Sequence, residues 1–139
     1  MKIEHVVADP DVDGSEGLIA TIIRSTQDSR PGVHFATGLD SQLQVGVLKH
    51  KGGMVVPAHK HIHHDRKVTA TEEVLVIEAG SVVVDLYRSD GAKEATVTLT
   101  KGDIIILHSG GHGLRFTEDS IVIEVKQGPY MGQYDKIRL

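Results

Sequence analysis

His59, His61, His63 and His64 fall within six residues, beginning six positions after Gly53. Side chains alternate faces along a β-strand, so His59, His61 and His63 would project to one side and could converge on one point. Neutral imidazole is the commonest protein ligand for divalent first-row metals, and such a cluster needs only a carboxylate and one more histidine to complete a site. Glu73 and His112 follow downstream as candidates. The competing reading is a solvated histidine patch on a loop. Position argues against it: the run follows Val55, Val56 and Pro57 and precedes the apolar segment Val74 to Ile77, so it interrupts a core-like stretch.

The rest of the composition narrows the chemistry. The chain has 139 residues, 40% of them apolar, which fits one domain around one core. The net charge is −4 and the aromatics are three Tyr, two Phe and no Trp, so a concentrated basic surface for nucleic acid is not expected. With no cysteine, thiolate ligands, disulfides and cysteine nucleophiles are excluded, and metal ligands must be nitrogen or oxygen. The chain also lacks asparagine. Its first residues, MKIEHVVADPDVDG, are too acidic and too briefly apolar for a signal peptide, and no apolar run approaches the ~20 residues of a membrane span. A cytoplasmic location away from any membrane is the resulting expectation.

The elements that would position these residues are short Val- and Ile-rich runs separated by Gly, Asp and Ser, the pattern of an antiparallel all-β sandwich or barrel. Strands are expected at Gln44 to Lys49, Val55 to His63, Glu72 to Glu78, Ser81 to Arg88, Ala95 to Leu99, Asp103 to Leu107, Leu114 to Thr117 and Ile121 to Gln127. Ala79-Gly80, Ser89-Asp90-Gly91 and Glu118-Asp119 read as tight turns. Residues 1–42 are read as an N-terminal strand or arm packing on a barrel formed by 43–139. Within that arm Glu16 to Ser25 is taken as a strand rather than a helix, and Ser29-Arg30-Pro31-Gly32 as a loop before Phe35. Ile104 to Leu107 and Val82 to Val84 are apolar on both faces, as in strands buried on both sides. A homodimer would cover the outer face; the alternative is the N-terminal segment of the same chain.

Two spaced groups carry a family resemblance. Gly53, five residues, His59-Lys60-His61, then Glu73, six residues and Gly80 resemble the first motif of the cupin superfamily. Gly102-Asp103, an apolar run and His108-Ser109-Gly110-Gly111-His112 resemble the second, and the strand succession extends the likeness over about residues 43–127. The chain is similar to a poorly characterised set of small single-domain members. The resemblance implies a double-stranded β-helix, or jelly-roll barrel, holding one divalent metal through His59, His61, Glu73 and His112. Eleven residues separate His61 from Glu73 where the family has three or four, and the second motif has His108 in place of a proline with its last histidine one residue early. His63, His64 and His108 are therefore alternative ligands.

Three imidazoles and a carboxylate suit Mn, Fe, Co, Ni or Zn and leave positions for water or a chelating substrate. Such an ion polarises a carbonyl or lowers the pKa of bound water, and as Fe(II) it could activate dioxygen. The expected function is a metal-dependent enzyme on a small polar substrate, of isomerase, epimerase or dioxygenase type. The alternative is a non-catalytic ligand- or metal-sensing module, and a third option is a metal-free barrel using histidines for acid–base work. His63, His64 and Gln127 are catalytic candidates; Arg66, Gln127 and Tyr87 are substrate-binding candidates, with Lys67 beside Arg66 on the same insertion. Gln127 shares strand parity with Ile121, Ile123 and Val125, which suggests that it closes an inward face or caps it through the backbone.

Overall fold

A computed structural model describes residues 1–8, 17–25 and 30–139. Ten strands are present among them: β1 (Lys2–Val7), β2 (Leu18–Arg24), β3 (Gly32–Phe35), β4 (Gly46–Lys49), β5 (Glu73–Ala79), β6 (Ser81–Tyr87), β7 (Lys93–Thr100), β8 (Ile104–Leu107), β9 (Gly111–Phe116) and β10 (Ile121–Lys126). The only helical piece among the described residues is a 3-10 turn at Gly132–Tyr134. All pairings are antiparallel. They build a five-stranded sheet in the order β1-β2-β8-β5-β10, a three-stranded sheet β7-β6-β9 and a two-stranded β3-β4 hairpin.

The β-branched runs form strands because each can bury at least one face. Ala20, Ile22, Leu75, Ile77, Ile105 and Leu107 of the large sheet meet Val82, Val84, Leu86 and Leu99 of the smaller one in the main core. Full burial of an aliphatic side chain of this size contributes about 1.5–3 kcal/mol. The opposite face of the large sheet carries Ile23, Val74 and Ile106, and Ala36, Leu43, Val45, Val47, Met1 and Ile3 pack with them. This explains the doubly apolar β8, where Ile105 and Ile106 are both fully buried. The cover over these residues comes from the same chain, whereas Ile121, Ile123 and Val125 of β10, on the same side of the sheet, stay exposed.

The expected turns form as read. Gly80 between β5 and β6 has φ +79°, and a Cβ there would lie 2.5 Å from the Asp119 carbonyl oxygen, so the turn demands a glycine. The strand reading of Leu18 to Arg24 is correct, while Glu16 and Ser29, named in the expected strand and loop, lie outside the described residues. Residues 1–42 supply more than an arm: β1, which the pattern did not signal, and β2 belong to the main sheet, and β3 pairs with β4, whose Val47 packs on its outer face.

Two expectations need correction. Val55 to His63 is not a strand: residues 50–71 carry no ladder and every one of them is exposed. Alternation makes a segment able to be a strand, but without a partner strand its N–H and C=O groups stay with water. The segment is anchored near its end, where the Gln42 amide donates to Thr69 Oγ1 (2.9 Å) and the Thr69 N–H donates to Gln42 Oε1 (2.7 Å). The inward face of β10 is also the reverse of the expected one. A bulge between Ile121 and Val122 shifts register, so Val122, Glu124 and Lys126 align with Ile77, Leu75 and Glu73, and Ile121, Ile123 and Val125 are exposed. Among the described residues β9 pairs only with β6 and β10 only with β5, so the sheets are not joined into a closed barrel on this side.

Candidate functional site

Glu73 opens β5 with the parity of Leu75 and Ile77, so its carboxylate points between the sheets at their open end. His112 lies on β9 opposite Leu86, a core residue, and faces the same gap. The two meet there: His112 Nε2 is 3.1 Å from Glu73 Oε2. Lys126, aligned with Glu73 across the β5–β10 ladder, donates to Glu73 Oε1 at 3.2 Å. Its ammonium also lies 2.8 Å from Glu124 Oε1 and 3.8 Å from Asp135 Oδ2, and 5.5 Å from the centre of the Tyr130 ring. The hydrogen bonds that Lys126 donates to Glu124 and Glu73 raise its pKa well above the usual lysine value. Lys126 is therefore a fixed positive charge at neutral pH, not a base or nucleophile.

These groups line a cleft of about 1050 Å³, whose walls also include Tyr87, Leu107, Gly111 and the C-terminal residues 134–139. Of the residues singled out from the sequence, Glu73, His112 and Tyr87 line this cleft. The sequence reading missed Lys126 and Glu124 because β10 was assigned the opposite inward face, its bulge not being legible, and it missed Asp135, which lies beyond the last strand.

The remaining candidates lie elsewhere. His59, His61, His63, His64, Arg66 and Lys67 are all on the exposed segment. The rings of His59 and His61 stand edge to face with centres 5.6 Å apart, and His59 Nδ1 donates to the Pro57 carbonyl oxygen at 2.9 Å. Among the described residues no group of three or more His, Asp or Glu side chains is placed to hold a metal ion. In this conformation Glu73 and His112 are together, and the other two expected ligands are not with them. The donor types fit a divalent transition metal, and the histidine segment leads directly into β5, at whose start Glu73 sits.

His108 and Gln127 belong to the outer face of the large sheet. His108 Nδ1 donates to Glu72 Oε1 at 2.9 Å, its Nε2 is 3.0 Å from the Thr21 hydroxyl, and that oxygen is 3.1 Å from His5 Nδ1. Gln127 Oε1 accepts the Glu72 N–H at 2.9 Å, the backbone-capping role. Glu72 and Thr21 are buried, so this row crosses the sheet away from the cleft and ties its strands together. Glu72 Oε2 and Gln127 Nε2 are buried with no hydrogen-bond partner among the described residues.

No helix among the described residues is long and apolar enough to cross a membrane. No protein-family model matches the chain, and neither a curated protein nor a solved structure matches it.

Proposed function

We propose that this chain is a divalent-metal-binding protein of cupin type, acting as a metal-dependent enzyme on a small polar substrate. The observation that carries this reading is the 3.1 Å approach of His112 to Glu73 at the mouth of a cleft between two β-sheets. These residues stand on different sheets and are far apart in sequence, yet both spaced motifs had singled them out. In the proposed holo form His59 and His61 join them. Residues 55–63 come down along the unpaired edge of β9 and close the sandwich toward a double-stranded β-helix. The eleven residues between His61 and Glu73 leave slack for that movement.

Bound there, the ion would act as a Lewis acid on a carbonyl or hydroxyl oxygen, which suits isomerisation or epimerisation, and as Fe(II) it would supply the electrons that dioxygenation needs. The chain's own groups do the rest. Lys126 holds Glu73 Oε1, leaving Oε2 directed at His112 and the cleft, and the apolar wall of Leu107 and Leu114 limits water. Tyr87 lines the cleft, and His63 and His64 would arrive with the segment as proton carriers.

Elemental analysis of protein purified without a histidine tag tests the reading. One equivalent of Mn, Fe, Co, Ni or Zn is expected in the unaltered chain, and a loss of stoichiometric metal in His59→Ala/His61→Ala. Metal-free protein that cannot be loaded by any of these ions, or full retention by the double variant, would overturn it.

A further inference from the structure

β10 ends the large sheet with one side of its backbone unpaired. Beside it on β5, Ile77 donates its N–H to the Asp103 carbonyl oxygen at 3.0 Å and accepts the Gly102 N–H at 2.8 Å, both on the β8 side. Successive residues of an antiparallel strand bond to opposite neighbours, so β5 reaches β10 through Val76 and Val74, which stand opposite Ile123 and Val125. The N–H and C=O groups of Val122, Glu124 and Lys126 therefore point off the edge, and among the described residues none of them has a hydrogen-bond partner. The strand also carries an exposed apolar row: Ile121 is 60% exposed, Ile123 49% and Val125 50%. Ile123 and Val125 extend the row of Val76 and Val74, which packs with Leu43, Val45 and Val47, and that cover stops short of β10. An open edge beside an apolar row is what another strand adds to.

The edge itself selects the strand. A twofold axis through Ile123 sets Val122 against Glu124 of a second copy and Glu124 against its Val122, so these residues exchange all their free N–H and C=O groups. On the outer face Ile123 then meets Ile123, and Ile121 meets Val125, of the second copy. Neighbouring registers fail. An axis through Glu124 opposes two carboxylates, which is destabilising; one through Val122 sets Val125 against Asp119, and one through Val125 sets Ile123 against Gln127. We infer that β10 is the contact of a symmetric homodimer, in which two five-stranded sheets join edge to edge in the register centred on Ile123. A contact confined to one strand of each copy lies at the small end of specific interfaces, so the association is weak and depends on concentration. Neither the metal nor the cleft enters this inference.

The chain has no cysteine, so a single introduced one reports the register without background. Residues directly opposite at a non-hydrogen-bonded position have Cα atoms about 4.5 Å apart, within reach of a disulfide. Ile123→Cys should therefore form a disulfide-linked dimer on mild oxidation. Ile121→Cys and Val125→Cys should each link at least about tenfold more slowly alone, and should link to each other when mixed. In the unaltered chain, sedimentation velocity from about 5 µM to about 500 µM should show the mass climb from one chain toward two, and Ile123→Lys, at an exposed position, should hold it at one. A single-chain mass throughout, equal linking rates for Ile123→Cys and Val125→Cys, or a dimer left intact by Ile123→Lys would each overturn the inference. So would slow amide exchange at Val122 and Glu124 in dilute single chains, since the edge would then be taken by residues 50–71 of the same chain.

Discussion

Glu73→Gln separates the role of this carboxylate in the fold from its role in binding an ion. The substitution keeps the shape and removes the charge. In the fold Glu73 is one of three carboxylates around Lys126, and Glu124 remains at 2.8 Å after the change, so the ammonium keeps its nearest partner. The loss is that of a partly exposed ion pair, about 0.5–1 kcal/mol. For a chain of 139 residues this lowers the melting temperature by about 2–5 °C. Metal binding should respond far more strongly. Removing even a group that merely supports a ligand costs about 10- to 100-fold in affinity, and Glu73 is the only anionic ligand in the proposed set, so a loss of at least about 100-fold is expected. At a metal concentration 100 times the Kd of the unaltered chain, binding stabilises that chain by about 2.7 kcal/mol. Its melting temperature should rise by roughly 10 °C. The same concentration would equal the Kd of Glu73→Gln and stabilise it by about 0.4 kcal/mol, a shift of roughly 1–2 °C. Thermal melts with and without Mn, Co, Ni or Zn read both quantities. A metal-induced shift in Glu73→Gln as large as in the unaltered chain would refute the assignment of Glu73 as a ligand.

Three further outcomes follow from the packing and the charges. Thr21→Val keeps the volume but removes the buried hydroxyl beside the largely covered His108 ring, leaving a ring nitrogen unpaired; urea denaturation should show a loss of about 1–3 kcal/mol, and no loss would remove the row's structural role. Leu86→Ala, at a fully buried position between the sheets, should cost about 2–5 kcal/mol by the same measurement. Lys93 first, then Arg115 and Thr96, hold the Asp85 carboxyl below the ordinary aspartate value of 3.8, so its contribution to stability is complete above that value and is lost as pH falls through the lower folded value. Asp85→Asn should accordingly flatten the fall of stability between about pH 4 and pH 2, and an unchanged slope would contradict the ion-pair assignment.

Much of the strand map was legible because its determinants are local. Val82, Val84 and Leu86 mark β6 by alternation, and Gly80 and Gly91 mark turns through a backbone conformation that other residues take at a cost. The doubly apolar Ile105-Ile106 pair announced a strand covered on both faces, and the pattern alone could not say by what. Spacing also brought Glu73 and His112 forward as partners, and they are neighbours in the cleft. The errors arose where a long-range partner sets the outcome. β10 shows its apolar residues outward because a bulge opposite β5 shifts its register by one, and a one-residue shift reverses every side chain. The histidine segment alternates like a strand and has no ladder, because a strand is completed by a neighbour and not by its own residues.

By itself, then, the sequence determined an all-β chain, the positions of its turns and the absence of any thiol, since propensity, glycine backbone freedom and side-chain chemistry all act within a few residues. Tertiary structure decided that the chain covers the outer face of its large sheet at β2, β8 and β5 but not at β10, and that Lys126 rather than Gln127 enters the cleft. Each of these depends on ladder register and on contacts between residues tens of positions apart, which no local pattern encodes.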